Sequence, residues 1–468
     1  MPGNGKPLDC PSRRQCLTLP VLGALWAIAP PAAFAQGRRE DDRSAAPTPA
    51  TPLPIRTEPG RTYLVDRDGR PFFLHGDTAW SLIADLKRED AEHYLEDRRA
   101  RGFNALLVNL LENKFARHAP RNAYGAFPFD REGDFATPNE AYFAHADWVV
   151  DQASARGLIV LLAPAYVGYS GGEQGWYRHM RASGAAKLRA YGRFLGQRYR
   201  HMRNIVWVHG GDYNPPDRQL VRVIAEGIRE FDTTSLHTAH CAPETIASDY
   251  WGSEAWLDFN TLYTYQPVHL QARRALDSRA QRPIILLESA YEHEHGAGEH
   301  RIRMQAYQAL LSRTAGHVYG NNPIWHFDGP GLHPAPGNWR SQLGSRGAQS
   351  MAHLLSLFKT IPWWRLTPDF GGRMLVSGAG PAESRAVAAF ADDGSLALVY
   401  TPEARTLDIK TAVLKGSQIE ARWYDPSSGS FDPVGVKFPG DDSVRQLTPP
   451  RRGTSGAEDW VLLLRPVA

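Results

Sequence analysis

The chain has 468 residues, which is longer than one ordinary domain and predicts two, with ample length for a large core. Its hydrophobic and charged fractions, 42% and 22%, are those of a soluble globular protein. The formal net charge is +3, and it falls to +1 without residues 1–35, because Lys6, Arg13 and Arg14 leave together with one acid, Asp9. A charge so close to balance excludes the electrostatic footprint of a nucleic-acid-binding protein.

The N-terminus has the pattern of an export signal. Ser12-Arg13-Arg14 precedes an apolar run over residues 17–29, and Ala33-Phe34-Ala35 offers small residues for cleavage. The paired arginines loosely match a twin-arginine signal, and a standard secretory signal is the alternative. We predict a signal peptide over residues 1–35, an exported protein that is periplasmic or secreted, and no membrane contact after signal removal. Residues 36–57 mix charge with Pro, Ala and Thr without a period, which predicts a disordered linker.

After the linker, apolar strands alternate with helices for nearly three hundred residues. A hairpin turned at Asp68-Gly69 leads into the first strand, counted from Phe72. The next six predicted strands cover residues 104–109, 158–163, 205–209, 236–240, 259–263 and 284–287, and an irregular eighth combines residues 317–319 and 324–326. The predicted helices cover residues 88–101, 142–156, 185–199, 219–231, 270–279 and 301–314.

These strands are apolar throughout, which is typical of a parallel sheet covered by helices on its outer side. Eight such units predict a (β/α)₈ TIM barrel over residues 58–364. A doubly wound open sheet is the alternative, but no glycine-rich phosphate loop follows the first strand. Beyond the barrel, short runs lie between turns such as Asp392-Asp393-Gly394, and this spacing predicts an antiparallel β-sandwich over residues 365–468.

Two strongly apolar strands each lead to a carboxylate. The fourth strand is followed by Gly210-Gly211-Asp212, and the seventh ends at Glu288. These strands face each other in an eight-stranded barrel, so the carboxylates can lie roughly 5 Å apart, as a retaining glycosidase requires. We interpret Glu288 as the nucleophile and Asp212 as the general acid/base, kept protonated by burial and by repulsion from Glu288. For either carboxylate alone, an ion pair with Arg or Lys at the barrel rim is the alternative.

Other residues near the strand ends have the side chains expected of a sugar-binding cleft. Aromatic faces stack on sugar rings, and a few placed polar groups fix the orientation of a ligand. The candidate substrate-binding residues are Asp77, Trp80, Asn109, Tyr166, His209, Asn214, Tyr263, Tyr265 and Trp325. The predicted partner is therefore a carbohydrate substrate, and no cofactor is predicted.

A run rich in His and Glu, Glu292-His293-Glu294-His295 followed by Glu299-His300, is a rival candidate for a metal site. The first two histidines stand at positions i and i+2, which suits no helical H-E-x-x-H arrangement. A solvated loop is the favoured interpretation, and no metal ligands are predicted.

Several motifs resemble a known family. The segments His75-Gly-Asp-Thr-Ala-Trp80, Gly102-Phe-Asn104, Trp207-x-His-Gly-Gly-Asp-Tyr213 and Leu287-Glu-Ser289 resemble the apiosidase-like glycoside hydrolases. The element Trp423-Tyr-Asp-Pro-x-x-Gly429 resembles the collagen-binding-type C-terminal domain that accompanies them. Together these motifs extend the resemblance over about residues 58–468.

The resemblance implies a (β/α)₈ barrel followed by a β-sandwich, retaining catalysis and, in the best-known case, release of apiose from pectic side chains. It implies the acid/base role for Asp212 and the nucleophile role for Glu288, in agreement with the strand-end argument. Residues 291–300 depart from the family, so a different sugar specificity is expected if that loop lines the cleft.

The leading hypothesis is an exported retaining glycoside hydrolase that acts on a plant or microbial polysaccharide or oligosaccharide. A non-catalytic carbohydrate- or matrix-binding protein is the alternative, because aromatic residues and a C-terminal sandwich also suit binding without hydrolysis. A metal-dependent hydrolase that uses the His/Glu run is the third hypothesis.

Overall fold

The computed structural model describes residues 53–277, 282–433, 435–450 and 456–467. The predicted signal peptide and residues 36–52 of the predicted linker lie outside the described residues. The N-terminal strands are β1 (Leu64–Val65), β2 (Pro71–Phe72), β3 (Leu74–Thr78), β4 (Ala105–Asn109), β5 (Ile159–Ala163), β6 (Ile205–Gly210), β7 (Leu236–His240), β8 (Asn260–Tyr263), β9 (Ile284–Glu288) and β10 (Gly316–Tyr319).

Helices connect most of these strands and follow the last one. They are α1 (Leu82–Asp85), α2 (Arg88–Ala100), α3 (Glu140–Ala155), α4 (Tyr177–Tyr199), α5 (Gln219–Arg229), α6 (Ala247–Trp251), α7 (Val268–Leu276), α8 (Glu299–Leu311), α9 (Trp339–Gln342) and α10 (Arg346–Phe358). The later strands are β11 (Leu366–Pro368), β12 (Leu375–Ser377), β13 (Val387–Ala391), β14 (Ala397–Thr401), β15 (Leu407–Lys410), β16 (Gln418–Asp425), β17 (Ser430–Phe431), β18 (Val436–Pro439), β19 (Val444–Leu447) and β20 (Trp460–Pro466).

Strands β3 to β10 form one parallel sheet in the order β7-β6-β5-β4-β3-β10-β9-β8. Its end strands meet: the Thr238 hydroxyl donates to the Phe259 carbonyl (2.9 Å), and the Asp258 N–H donates to the His237 carbonyl (2.9 Å). The predicted (β/α)₈ barrel is thus confirmed. The irregular eighth strand is corrected, because only its first part forms a strand, β10, whereas Ile324–His326 is a 3₁₀ turn.

Successive residues of each barrel strand face two different apolar layers. Leu107 and Val206 belong to the cluster inside the barrel, whereas their neighbours Leu106 and Trp207 pack with the surrounding helices. Side chains of a strand alternate between the two faces of a sheet, and here both faces are covered. This double burial explains why the strands are apolar at every position.

The C-terminal residues form two antiparallel sheets, as predicted for the sandwich. The larger sheet has the order β11-β13-β14-β20-β16-β17, with β18 paired to β16, and the smaller has the order β12-β15-β19. One face of the larger sheet, including Val399 and Leu462, packs on Leu407 and Ile409 of the smaller sheet. Its other face, which includes Tyr400, packs on the barrel helices α8 and α10. The larger sheet is therefore buried on both sides.

The end of the predicted disordered linker is ordered, which corrects the expectation for residues 53–57. Ile55 is buried in the barrel cluster, and Arg56 exchanges two backbone hydrogen bonds with Val65, at 2.8 and 2.9 Å. Ile55 has an apolar partner surface to cover, so this part of the segment packs despite its polar composition. Within the described residues, no helix combines the length and apolar character that a membrane span needs.

Candidate active site

The end of β6 brings Asp212 to the carboxyl-terminal rim of the barrel through two glycines. Gly210 has a φ of 96°, and a Cβ atom there would lie 2.3 Å from the His240 carbonyl oxygen of the neighbouring strand. A Cβ atom on Gly211 would lie 2.6 Å from the Tyr166 ring. Only glycine fits this backbone path, so the Gly-Gly pair lets the chain turn tightly and present Asp212.

Glu288 reaches the same rim at the end of β9. Ile285 and Leu287 face the barrel interior, so strict alternation would point Glu288 outward, toward the helices. The register with β8 shifts here, because Leu262 pairs with Leu286 while the next residue, Tyr263, pairs with Glu288. Such a bulge changes the direction of a side chain at the end of a strand, and Glu288 lines the cleft.

Asp212 and Glu288 meet at His240, the last residue of β7. One oxygen of each carboxyl and a ring nitrogen of His240 all lie within 4.8 Å of one another. His240 Nε2 is 2.6 Å from Glu288 Oε2, and Nδ1 is 3.5 Å from Asp212 Oδ1 and 3.1 Å from the Cys241 carbonyl oxygen. The imidazole therefore bridges the two carboxyl groups.

The surroundings of Asp212 and His240 raise the pKa values of both side chains. Burial, and then the charge of Glu288, raise the pKa of Asp212 to about 7, against the opposing effects of His240 and of a hydrogen bond from Tyr166. Burial alone would lower the pKa of His240, but the hydrogen bond and charge of Glu288, with the charge of Asp212, raise it to about 9. At neutral pH Asp212 can thus carry a proton while His240 is cationic.

Aromatic side chains surround the carboxyl groups. Six of the predicted substrate-binding residues line this cleft together: Trp80, Asn109, Tyr166, Tyr263, Tyr265 and Trp325. The Trp80 ring lies 5.6 Å from His240 and 5.8 Å from Tyr166, and the hydroxyls of Tyr263 and Tyr265 are 3.0 Å apart. The arrangement joins two carboxyl groups with flat apolar faces, which is chemistry suited to a sugar ring.

Comparison with known proteins identifies the family. Residues 58–365 match the family described as "Apiosidase-like, catalytic domain". The chain belongs to the apiosidase-like glycoside hydrolase family. The following residues, 368–465, match the domain described as "Putative collagen-binding domain of a collagenase". No curated protein matches the chain.

Solved structures share the fold of this apiosidase-like chain. A glycoside hydrolase family 5 structure from Bacteroides vulgatus ATCC 8482 is 23% identical, with a TM-score of 0.76 over 88% of this chain and 92% of that chain. A second structure, described as a glycoside hydrolase, is 24% identical, with a TM-score of 0.76 over 89% of this chain and 97% of that chain. The apiosidase-like chain thus has a glycoside hydrolase fold over most of its length.

Asp77 does not line the cleft of this apiosidase-like barrel, in contrast to its predicted substrate-binding role. It is fully buried and accepts hydrogen bonds from the Tyr94 hydroxyl (2.7 Å) and from Arg98 Nη1 (3.3 Å) of α2. Asp77 alternates with Leu74 and Gly76, of which Leu74 belongs to the interior cluster, and so it faces the helices. Asp77 therefore forms a buried ion pair with Arg98.

His209 and Asn214 also lie outside the cleft lining, and their predicted binding roles are corrected. His209 has the same orientation as Trp207, under the helices, and its Nε2 is 2.9 Å from His237 Nδ1. Asn214 donates to Thr245 Oγ1 (3.0 Å) and accepts from the Ala242 N–H (3.1 Å), which fixes the loops after β6 and β7.

The structure adds residues to the predicted substrate-binding set: the cleft is also lined by Phe115, Gln174, Tyr291, Glu294 and Leu332, beside the bridging His240. Phe115, Gln174 and Leu332 come from long loops whose course no periodicity reveals. His240 stands at the end of a predicted strand, and that position is the signal that could have selected it.

The His/Glu run does not gather into one site. Glu292 is buried, His293 Nε2 faces Gln342 Oε1 (3.1 Å), His300 Nε2 faces the Pro402 carbonyl (2.8 Å), and Glu294 lines the cleft. Among the residues that the structure describes, the one cluster with metal-ligand spacing is Asp212, His240 and Glu288. The two ring nitrogens of His240 face the Cys241 carbonyl oxygen and the Glu288 carboxyl oxygen.

Proposed function

We propose that this apiosidase-like chain is an exported retaining glycoside hydrolase, with Asp212 as the general acid/base and Glu288 as the nucleophile. The observation that carries the proposal is the approach of their oxygen atoms to within 4.8 Å across an aromatic cleft. Retaining enzymes hold their carboxyl groups about 5 Å apart, whereas inverting enzymes leave room for a water between groups about 6.5–9.5 Å apart. The short separation supports a double displacement.

In the first step, a Glu288 oxygen attacks the anomeric carbon while Asp212 gives its proton to the glycosidic oxygen. The bond between the anomeric carbon and that oxygen breaks, the aglycone leaves as an alcohol, and an ester joins the sugar to Glu288. In the second step, Asp212 takes a proton from water, whose oxygen attacks the anomeric carbon and releases Glu288. Two inversions give net retention of configuration.

His240 supports both steps as a positioning residue. Its cation holds the Glu288 carboxyl at 2.6 Å and orients it toward the sugar. Its second nitrogen lies 3.5 Å from Asp212, so the charge also prevents the pKa of Asp212 from rising further. The general acid therefore stays close to the operating pH, where proton transfer in both directions is efficient.

The proposed substrate is a plant or microbial polysaccharide or oligosaccharide, and apiose released from pectic side chains is the first sugar to test. The family match to an apiosidase-like catalytic domain supports this choice. Export is supported by the pattern of residues 1–35, which would place the enzyme where such polymers occur.

The test is sugar release by residues 36–468 from a panel of polysaccharides that includes apiose-bearing pectic oligosaccharides. Glu288→Gln and Asp212→Asn should each lower turnover by more than about a thousandfold, because each removes a group that forms or breaks a bond. Glu299→Gln is the matched control, since Glu299 pairs with Arg346 outside the cleft. Activity retained in Glu288→Gln would contradict the assignment, and so would loss of activity in a chelator. Tight binding of a glycan without hydrolysis would favour the carbohydrate-binding alternative.

A further inference from the structure

A third carboxyl group, that of Glu294, lines the cleft beside the proposed catalytic pair. Glu294 lies in the His/Glu-rich tract 291–300. Trp325 Nε1 donates to Glu294 Oε1 at 2.8 Å, and this is the one side-chain hydrogen bond to Glu294 within the described residues. Its second oxygen is left for a ligand.

The loop that carries Glu294 is anchored through the buried carboxylate of Glu292. That carboxylate accepts hydrogen bonds from the Tyr319 hydroxyl (2.5 Å), the Ser345 hydroxyl (2.6 Å), Asn321 Nδ2 (3.0 Å) and the Gly347 N–H (2.8 Å). Four donors compensate the burial of one carboxylate and join the loop to β10 and to the start of α10. The base of the loop is therefore rigid.

The backbone on both sides of Glu294 is held in the left-handed region. His293 has a φ of 71° and His295 a φ of 48°, values that cost non-glycine residues roughly 1–2 kcal/mol each. Two hydrogen bonds close the turn: His293 N–H donates to the Ala297 carbonyl (2.8 Å), and Ala297 N–H donates to the Glu294 carbonyl (2.8 Å). These contacts fix the backbone position of Glu294, and the Trp325 hydrogen bond holds its carboxyl group.

The charges in the cleft restrict the sugar that can enter. Asp212, Glu288 and Glu294 supply three carboxyl groups, and His240 supplies one cation. No lysine or arginine belongs to the described lining of the cleft. Burial raises the pKa of Glu294 to about 7, the Trp325 hydrogen bond lowers it in part, and the charge of Glu288 raises it further. The His240 cation is already paired with Glu288, so a negatively charged glycon would meet repulsion here without a free cation among the described lining residues.

We propose that Glu294 is a specificity-determining residue that accepts hydrogen bonds from hydroxyl groups of a neutral glycon and selects against uronic acids. The inference rests on the proposed function, because it places the glycon beside Asp212 and Glu288. A site built to bind a hydroxyl discriminates strongly against sugars that lack it, since a buried polar group is then left unpaired. The His/Glu run thereby serves sugar recognition.

The experiment is a tryptophan fluorescence titration, because Trp80 and Trp325 line the cleft and report directly on its occupation. The probes are free D-apiose, L-arabinose, D-xylose, D-mannose and D-galacturonate at pH 8. The proteins are the wild type, Glu294→Gln, Glu294→Ala and the control Glu299→Gln. Glutamine keeps an acceptor for the Trp325 N–H, so Glu294→Gln tests the second oxygen without displacing the indole.

The wild type and the control should bind at least one neutral sugar at least tenfold more tightly than D-galacturonate. Glu294→Gln should weaken binding of that neutral sugar about tenfold, and Glu294→Ala about a hundredfold, while binding of D-galacturonate is unchanged or tighter. Equal affinities in the wild type and Glu294→Gln would overturn the inference. Failure of every neutral sugar to bind the wild type, or preference for D-galacturonate, would also overturn it.

The outcome is separable from a failure of the proposed function. Hydrolysis that survives in Glu288→Gln would contradict the catalytic assignment, but the affinity difference between the wild type and Glu294→Gln would still stand. Conversely, unchanged sugar affinity in Glu294→Gln, beside lost hydrolysis in Glu288→Gln, would overturn only the role of Glu294.

Discussion

At the scale of single residues, His240 determines how the two carboxyl groups share charge. It lies 2.6 Å from Glu288 and 3.5 Å from Asp212, and it carries a positive charge at neutral pH because the two carboxyl groups raise its pKa to about 9. Asp212, with a pKa of about 7, and the neighbouring ion pair of His240 with Glu288 therefore titrate as one coupled group. The proton balance of the reaction depends on all of them.

This arrangement predicts the basic limb of the pH–rate profile. The wild-type kcat/KM should fall as the pH rises above about 7, because Asp212 then loses the proton that it must give to the leaving group. His240→Gln removes the cation that lowers the pKa of Asp212, so the basic limb should move to higher pH. Loss of the charge-assisted hydrogen bond to Glu288 should also lower kcat/KM about 10–100-fold.

The measurement is kcat/KM between pH 5 and pH 10 on one substrate for both proteins. A merely structural role for His240 would lower the rate without moving the limb. A limb that stays in place, or that moves to lower pH, would contradict the coupling between His240 and Asp212.

At the scale of elements, the join between β6 and its loop positions the acid. Gly210 packs so closely on β7 that a Cβ atom would approach the His240 carbonyl oxygen to 2.3 Å. The same carbonyl accepts a hydrogen bond from the Gly211 N–H at 2.9 Å. Any side chain at this point must separate the two strands that carry Asp212 and His240.

Gly210→Ala should therefore lower kcat/KM at least tenfold and the free energy of unfolding by roughly 2–4 kcal/mol, since strain in φ and a backbone clash add together. Gly184→Ala is the matched control, because Gly184 has a φ of 75° but nothing within 4 Å of its added Cβ. The control should lower the free energy of unfolding by roughly 1–3 kcal/mol through backbone strain alone, and it should keep its activity. Steady-state kinetics and urea unfolding measure kcat/KM and the free energy of unfolding of both variants. A loss of kcat/KM as large in Gly184→Ala as in Gly210→Ala would contradict the proposed clash.

The barrel strands were predictable from the sequence, but the directions of their side chains were not. Continuous apolar runs revealed the strands and the barrel, and the position at strand ends selected Asp212 and Glu288. The runs are apolar on both faces, however, so they do not reveal which residues face inward, and Asp77 and His209 were assigned to the wrong side. The orientation of Glu288 depends on a register shift with β8, which only the paired strands define.

The positions of the cleft residues on loops could not be predicted from the sequence for a different reason. The course of tract 291–300 depends on donors that are distant in the chain, such as Ser345 and Gly347, which bind Glu292. No local pattern encodes those partners, and a solvated loop was the natural expectation for Glu294 and its neighbours. Cleft residues on such loops become visible only when the tertiary contacts are known.

At the scale of the whole molecule, the barrel and the C-terminal sheets share buried contacts. Arg303 of α8 makes a bidentate ion pair with Asp459, at 2.7 and 2.8 Å, and both side chains are almost fully buried. The Tyr400 hydroxyl donates to the same carboxylate at 3.0 Å, and Arg303 also donates to Ser350. The ion pair lies beside a shared apolar cluster of the helices and the larger sheet.

Asp459→Asn should lower the free energy of unfolding by about 3–5 kcal/mol, because it leaves the Arg303 charge buried without its partner. The double variant Arg303→Met with Asp459→Leu should cost less, since it removes both charges together. Calorimetry of residues 36–468 should show one transition for each protein, because the sheets and the barrel unfold together. Two separate transitions would contradict a shared core.

The central claim is the division of roles between Asp212 and Glu288, and chemical rescue by azide tests it most directly. Azide should restore activity to Glu288→Ala by attacking the anomeric carbon in place of the carboxylate, which gives a glycosyl azide of inverted configuration. In Asp212→Ala, azide should intercept the glycosyl-enzyme and give a glycosyl azide of retained configuration. Nuclear magnetic resonance determines the anomeric configuration of the glycosyl azide that each variant forms. The reverse assignment of configurations, or rescue of neither variant, would contradict the account.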